Sequence, residues 1–426
     1  MLKDYPAILV QPAAALNIDA ALLDNLAKEA GFIRRKTSRF SATGFFLSLL
    51  KAVGSGQSSL NQLCISLAQH QPRALCKQGL AYHFSEPALD FLKRLLDKVN
   101  EASSNVPGIE SRFGRILLQD STQLRLHPGN AAHFKGMGND AGATAAAKLD
   151  VISNLLTGEY FPSQISDGRH QDRSNGPRIF DYLESGDLVL RDMGYFDVDS
   201  FARMEDLGAS WISRLHALVH VWDMEGVCLE ERLSSSQGQV LDMDVTLTHK
   251  GHRARLIAIR ATEEVKARRR AKGKERRKRM GNTATKRSLE REGWNLYVTN
   301  LSREEFAAKD IVTLYEGRWA IEIRFRALKG STRLREMFQR RTNKTTLNVL
   351  LTAVMIFAHM GAKAILWLRS KAPVGRLPSA EKVYQWLANS LLSLANIRAP
   401  IPYDMRALCL DRRARTCLQR KIEPLF

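Results

Sequence analysis

The sequence predicts an α/β core with helical regions at both ends of the chain. Three observations predict it. Apolar residues recur at helical spacing up to about residue 105. Short apolar runs separated by helical stretches follow from about residue 113 to 300. Helical periodicity then returns from about residue 309. At 426 residues the chain is long enough for two or three domains.

In the first region, Asp19, Ser41 and Ser85 each stand where a helix N-cap is needed, ahead of an apolar-periodic run. The stretch between the second and third, about residues 58–84, reads as two short helices broken at Gln71 and Pro72. That pattern fits a helix-turn-helix docking on DNA and equally fits two packed helices of a small bundle.

Strand-like texture begins at Arg115–Gln119, which runs into Asp120. Residues 147–153 and 158–161 follow as a hairpin-like pair around 154–157. A helical stretch near 179–184 precedes the apolar run Leu188–Leu190, which leads to Asp192. A helix over 198–207, a strand over 210–213 and further β-like segments to 259 continue the alternation. After a basic run, residues 294–300 read as a strand and 309–329 as one long helix. The remainder reads as mostly helical with a basic tail (Arg406, Arg412, Arg413, Arg415, Arg420, Lys421).

Charge narrows the function. Lys and Arg number 64 against 44 Asp and Glu, a net charge of +20 that calls for a polyanionic partner, nucleic acid or an acidic membrane surface. The N-terminus lacks the pattern of a signal peptide. The most apolar stretch, 349–368, is interrupted by Thr352, His359 and Lys363, which suits a buried helix and not a membrane span. Cys64, Cys76, Cys228, Cys409 and Cys417 are odd in number and widely spaced, so free thiols in a reducing cytoplasm are expected. The run 266–279 is either a solvated charge face or a phosphate-contacting element; the overall charge favours DNA contact.

Three acids stand out by position. Asp120 and Asp192 each follow an apolar strand, and strand carboxyl ends converge on one sheet edge. Tyr315, Arg318, Glu322 and Lys329, spaced 3, 4 and 7 apart, fall within about 60° of a helix circumference, with Arg326 at the edge of that stripe. Leu314, Ile321, Phe325 and Leu328 form a separate apolar stripe that seats the helix. Three carboxylates with adjacent cations suit a two-metal phosphoryl-transfer site: hard oxygens hold the ions and the cations clamp phosphate. The bland alternative is a face of helical ion pairs, Arg318 with Glu322 and Glu322 with Arg326. A carboxylate pair could also hydrolyse sugars, but the +20 charge disfavours that.

At these residues the sequence resembles the DDE transposases of the insertion-sequence-four family, whose signature Tyr-x2-Arg-x3-Glu-x6-Lys is matched by Tyr315, Arg318, Glu322 and Lys329. Asp120-Ser121-Thr122 resembles the first-aspartate motif and Asp192–Phe196 the second. The resemblance covers roughly residues 20 to 370. It implies a ribonuclease-H-like catalytic core with a mostly β insertion in the stretch of about 130 residues between Asp192 and Glu322. The expected division is 1–108 as a helical DNA-binding region, 109–215 with 291–345 as the core, 216–290 as the insertion, and 346–426 as a helical C-terminal region. By resemblance, Asp120, Asp192 and Glu322 are catalytic and bind two Mg²⁺ (or Mn²⁺) ions, while Tyr315, Arg318 and Lys329 contact DNA phosphates. Arg326, beside them on the helix, is grouped with the DNA-contacting residues. Trp211, Trp222 and Trp294 are each open to a base-stacking role or a core role. The implied activity is cleavage of element ends and strand transfer into target DNA, by a homodimer on double-stranded DNA with terminal inverted repeats, in a bacterial cytoplasm at the nucleoid. The alternative is a catalytically inactive, transposase-derived DNA-binding protein.

Overall fold

A computed structural model of the chain describes residues 18–34, 40–71, 74–101, 112–138, 144–281, 283–370 and 378–392. The basic tail beyond 400 and the Pro72 break lie outside these residues, as do Cys409 and Cys417.

Caps set the first helices. α1 (Ala20–Glu29) starts where the Asp19 carboxylate accepts the Leu22 N–H at 2.7 Å. α2 (Ala42–Ser55) starts where Ser41 Oγ accepts the Gly44 N–H at 2.9 Å, and it ends at Gly56 with φ +75°. α3 (Leu60–Ala68), α4 (Lys77–His83) and α5 (Glu86–Glu101) follow, so the two short helices read from the sequence are present.

β1 (Ile116–Leu126) is longer than the apolar run predicted. Past Asp120 it continues with Thr122, Leu124 and Leu126 buried while Gln123 and Arg125 are exposed, the period-two pattern of a strand with one covered face. Asp120 therefore lies within the strand, not at its end. β2 (Ala145–Asn154) is buried throughout and turns back through Gly158, whose N–H reaches the Asn154 carbonyl at 2.8 Å. A bridge between Ser153 and Tyr160 closes the expected hairpin, and β3 (Gln164–Asp167) then runs antiparallel to β2.

Next come α6 (Asp172–Asn175), β4 (Leu188–Arg191), α7 (Val198–Asp206) and β5 (Ser210–Arg214). The predicted insertion, 216–290, contains β6 (Val221–Asp223), α8 (Leu229–Ser235), β7 (Val240–Leu247), β8 (His252–Arg260), α9 (Glu263–Met280) and α10 (Lys286–Glu292). It is not mostly β: its longest element is α9, because the basic run forms a helix. β9 (Trp294–Thr299) follows. The single helix expected over 309–329 is two, α11 (Ala308–Glu316) and α12 (Trp319–Ser331), interrupted at Gly317 and Arg318. α13 (Leu334–Met337), α14 (Lys344–Ser370) and α15 (Ala380–Leu392) complete the described chain.

The residues pack as two units. One unit comprises the described residues within 1–109, 120–170 and 320–417. In it α14 packs on α5 and α2, and α15 packs on α2 and α14. α14 is apolar enough by length and composition to cross a membrane, but 94% of its apolar window is buried inside the protein. It is a core helix, as its internal Thr352, His359 and Lys363 suggested. Gly361 matters here: a Cβ would stand 2.1 Å from the Tyr384 ring, so only glycine lets α15 approach. This unit also carries β3, β2 and the Asp120–Leu126 part of β1, neighbours in that order.

The other unit comprises 110–119 and 171–319 among the described residues. Its sheet runs β1, β4, β5, β9, β8, β7, β6. Parallel pairing holds β1 to β4, from Ile116 opposite Leu188 to Gln119 opposite Arg191, and β4 to β5; the remaining pairings are antiparallel. The four residues of β4 and Ile116–Gln119 are all buried, as expected for parallel strands covered on both faces. Asp187, 1% exposed, fixes the start of β4 through two bonds with Arg115, at 3.0 and 2.7 Å.

Candidate active site

In the first unit, an open cleft of about 640 Å³ is lined by Asp120, Ser121, Thr122, Glu322, Phe325, Arg326, Lys329 and Gly330. The strand supplies one wall. Thr122 is buried while Asp120 and Ser121 are half-exposed, and the Asp120 carboxylate accepts the Ser121 N–H at 2.8 Å. Helix α12 supplies the other wall. Ile321, Phe325 and Leu328 are buried on its inner side, so Glu322, Arg326 and Lys329, three and four residues apart, fall on the cleft side. Four of the predicted site residues thus line one volume. Lys329 is exposed, yet the protein around its ammonium group removes hydration and lowers its pKa from the ordinary lysine value.

Behind α12 the unit is polar where apolar packing would be expected. Arg324, 6% exposed, donates to the Gly158 carbonyl at 3.3 Å and stands 5.7 Å from the Tyr160 ring. His359 contacts Ser163 Oγ at 3.0 Å and Asn100 Oδ1 at 2.5 Å. Full burial first, and Lys363 second, push its pKa down to about 3, so it is neutral at pH 7. These residues back the cleft wall; nothing in the spacing of the sequence singled them out.

In the second unit, Asp192 follows the last residue of β4 and opens the short turn Met193–Tyr195. Other acids nearby are spent on structure. Asp187 holds Arg115, and Asp197 caps α7 while pairing with Arg173 at 2.7 Å. The half-buried Asp192 carboxylate makes no capping bond to its turn, and it has no hydrogen bond or ion pair among the described residues.

Tyr315 and Arg318 are buried, at 4% and 5% exposure. Tyr315 donates its O–H to the Arg191 carbonyl at 3.3 Å, on the residue preceding Asp192. Burial, with the Asp192 charge adding to it and Arg318 opposing it, pushes the Tyr315 pKa up to about 12. Arg318 lies 5.8 Å from the Tyr315 ring and 5.1 Å from that of Trp319, which is itself 47% exposed. The helical stripe drawn through Tyr315, Arg318, Glu322 and Lys329 is broken at Gly317, so its first two members do not share a continuous helix with the last two.

Of the tryptophans, Trp211 is 1% exposed, stacks on Phe201 at 3.9 Å and donates to Glu205 at 2.9 Å; Trp294 is 4% exposed beneath Arg260. Both are core residues. Trp222 is half-buried beside His220 and His249. Asn300 ties β9 to β5 by accepting the Trp211 N–H at 2.9 Å and donating to Ala209 O at 3.1 Å.

Among the described residues no group of three or more His, Cys, Asp and Glu side chains stands ready to hold a metal ion. The cleft offers two carboxylates, Asp120 and Glu322, open to solvent beside two cations. That donor set fits Mg²⁺, which keeps several waters and takes one or two carboxylates plus substrate phosphates in place of an all-protein cage.

The model of the transposase DDE domain family matches residues 111–358. The transposase for insertion sequence element IS231C of Bacillus thuringiensis subsp. berliner is 29% identical over 342 residues, 74% of this chain and 71% of that protein. The transposase for IS1151 of Clostridium perfringens is 24% identical over 349 residues, 75% and 73% of the two chains. The transposase for IS421 of Escherichia coli is 24% identical over 324 residues, 72% and 81%. With more than half of its residues inside the domain match, this chain belongs to the DDE transposases, the family to which Asp120, Asp192 and the Tyr315–Lys329 signature pointed.

Proposed function

We propose that the protein cleaves the ends of an insertion element and joins them to target DNA. Asp120, Asp192 and Glu322 would hold two Mg²⁺ (or Mn²⁺) ions. The observation that carries the reading is the cleft in which Asp120 and Glu322 face the same open volume as Arg326 and Lys329. Supporting it, the Asp192 carboxylate is spent on neither its turn nor an ion pair. Strand succession supports a ribonuclease-H-like core: β3, β2 and β1 in one unit, and parallel β1, β4 and β5 in the other.

The ions, when bound, supply the positive charge that stabilises the attacking and leaving oxygens of phosphoryl transfer. The chain's own residues do the rest. Arg326 and Lys329 bind and orient the phosphate that enters the cleft, with Lys329 acting as a point charge and Arg326 as a fork of donors. Tyr315 and Arg318, being buried, act by position: the Tyr315 hydroxyl holds the Arg191 carbonyl and so fixes the backbone from which Asp192 projects. The helical N-terminal region takes part in DNA binding, and a homodimer assembles on the terminal inverted repeats at the nucleoid.

The test is cleavage by the purified full-length protein of a duplex carrying element ends, with Mg²⁺ or Mn²⁺. Asp192→Ala is expected to lose nicking and strand transfer while retaining DNA binding. Undiminished nicking by that variant would defeat the assignment.

A further inference from the structure

Resting on the transposase reading for the identity of the polyanion, we propose that the exposed face of α9 is a sequence-independent binding surface for the duplex-DNA backbone, built from residues other than those of the cleft.

The helix is well defined at both ends. Thr262 Oγ1 accepts the Val265 N–H at 3.4 Å, and Gly281 terminates the helix with φ +67°. Only Val265, Lys266, Arg269, Gly273 and Arg277 are part-covered, a row at helical spacing that marks the side turned to the protein. That side is anchored by polar contacts. Arg269 donates to the Trp294 carbonyl at 2.9 Å and to Asn295 Oδ1 at 2.5 Å, and Arg277 pairs with Glu292 at 3.1 Å. Gly273 makes room for that pair, since a Cβ there would stand 2.8 Å from Glu292 Oε1.

The exposed surface of the helix carries Arg268, Arg270, Lys272, Lys274, Arg276, Lys278 and Arg279, none in an ion pair among the described residues. Arg268, Lys272 and Arg276 are successive i,i+4 neighbours, as are Arg270, Lys274 and Lys278. Like charges at that spacing destabilise a helix by a few tenths of a kcal/mol per pair. No residue of α9 is buried, so apolar burial does not offset the repulsion. A face kept only for solubility would mix signs; here Glu275 is the one acid over 268–279.

An array of phosphates relieves this repulsion. Eighteen residues at 1.5 Å rise span about 27 Å, and a duplex carries about one charge per 1.7 Å of axis. The helix is long enough to meet several phosphates along one groove edge. The cations spread around about two thirds of the helix and not along one narrow row, which suits backbone contact more than base reading. An acidic membrane is the lesser fit, because α9 has no apolar face to insert.

The test measures binding of the full-length protein to a random 30-base-pair duplex across a KCl series. The variant combines Arg268→Gln, Arg270→Gln, Lys274→Gln and Arg276→Gln. The slope of log K against log salt is expected to fall by roughly 3 to 4, at about 0.9 per phosphate contact, with at least a tenfold loss of affinity at the lowest salt. A second variant, Lys272→Gln, Lys278→Gln and Arg279→Gln, leaves those four intact and is expected to lower the slope by roughly 2 to 3. An unchanged slope in either variant, with wild-type circular dichroism, overturns the proposal. So does loss of binding to phosphatidylserine vesicles with the duplex slope unmoved. Wild-type protein that binds duplex with this slope yet never nicks element ends sinks the catalytic reading alone. Nicking by the wild type with an unmoved variant slope sinks this inference alone.

Discussion

Helices α12 and α9 both present lysine and arginine to solvent, and they are built in opposite ways. α12 has a buried inner side of Ile321, Phe325 and Leu328, each worth roughly 1.5–3 kcal/mol when fully buried, and presents a carboxylate together with its cations. α9 has no fully buried residue and presents cations almost alone. The difference teaches that charge type does not assign a role. A rigidly seated helix can hold Glu322, Arg326 and Lys329 at fixed positions in a cleft, which chemistry requires. A helix anchored by Arg269 and Arg277 can only offer charge, which is enough for adhesion.

The largest effect that would sharpen this contrast comes from Glu322→Gln. Keeping shape and removing charge is expected to reduce metal-dependent nicking on the order of 10³-fold, about 4 kcal/mol of transition-state stabilisation, with the thermal midpoint unchanged. Single-turnover cleavage reads it, and a loss under tenfold would remove Glu322 from the chemistry and erase the distinction between the two helices.

Acid should separate the helices next. Behind α12, His359 is neutral in the folded protein with its pKa near 3, whereas in the unfolded chain it titrates near the usual 6.5. The unfolded state therefore binds the extra proton first as pH falls. The stability contributed is fully present above about pH 6.5 and is lost progressively from there toward pH 3. Between pH 7 and pH 5 the loss is about 2 kcal/mol from this group. Urea titrations at the two pH values, with His359→Gln as the comparison, measure it; an equal drop in that variant would assign the acid sensitivity elsewhere.

The smallest effect concerns the anchor. Arg269→Met removes the bonds to Trp294 and Asn295 and is expected to cost about 1 kcal/mol locally. Trypsin, which cuts at lysine and arginine, would then cleave within 266–279 about fivefold faster with the global midpoint little changed. Unaltered cleavage would show that α9 is seated by something other than this arginine.

Much of this was legible in the sequence because the relevant signals are local. Asp19 and Ser41 announced helices, the apolar run Leu188–Leu190 announced a strand leading to Asp192, and the spacing of Glu322 to Lys329 announced one helical face. What was missed has physical reasons. The polar Asp120-Ser121-Thr122 step hid the continuation of β1, although the alternation of Leu124 and Leu126 with Gln123 and Arg125 carried it. The break at Gly317 left no trace because the helical periodicity is good on both sides of it. Tyr315 is amphipathic, so spacing could not tell a phosphate contact from a buried hydroxyl on a carbonyl. α9 has no apolar periodicity at all, and only its row of part-covered residues reveals which side is docked. Arg324 and His359 are isolated polar residues in apolar surroundings, and their partners Gly158, Ser163 and Asn100 are remote in sequence.

The burial of α14 against α5 and α2 has a consequence during synthesis. The first helices leave the ribosome more than 240 residues before the helix that covers them. Their apolar faces must wait, through the making of both carboxylate-bearing strands, for a segment that by itself would satisfy the hydropathy of a membrane span. A message cut short before residue 344 would yield a chain with no stable seat for its first helices, so completion of the polypeptide is itself a checkpoint on this transposase.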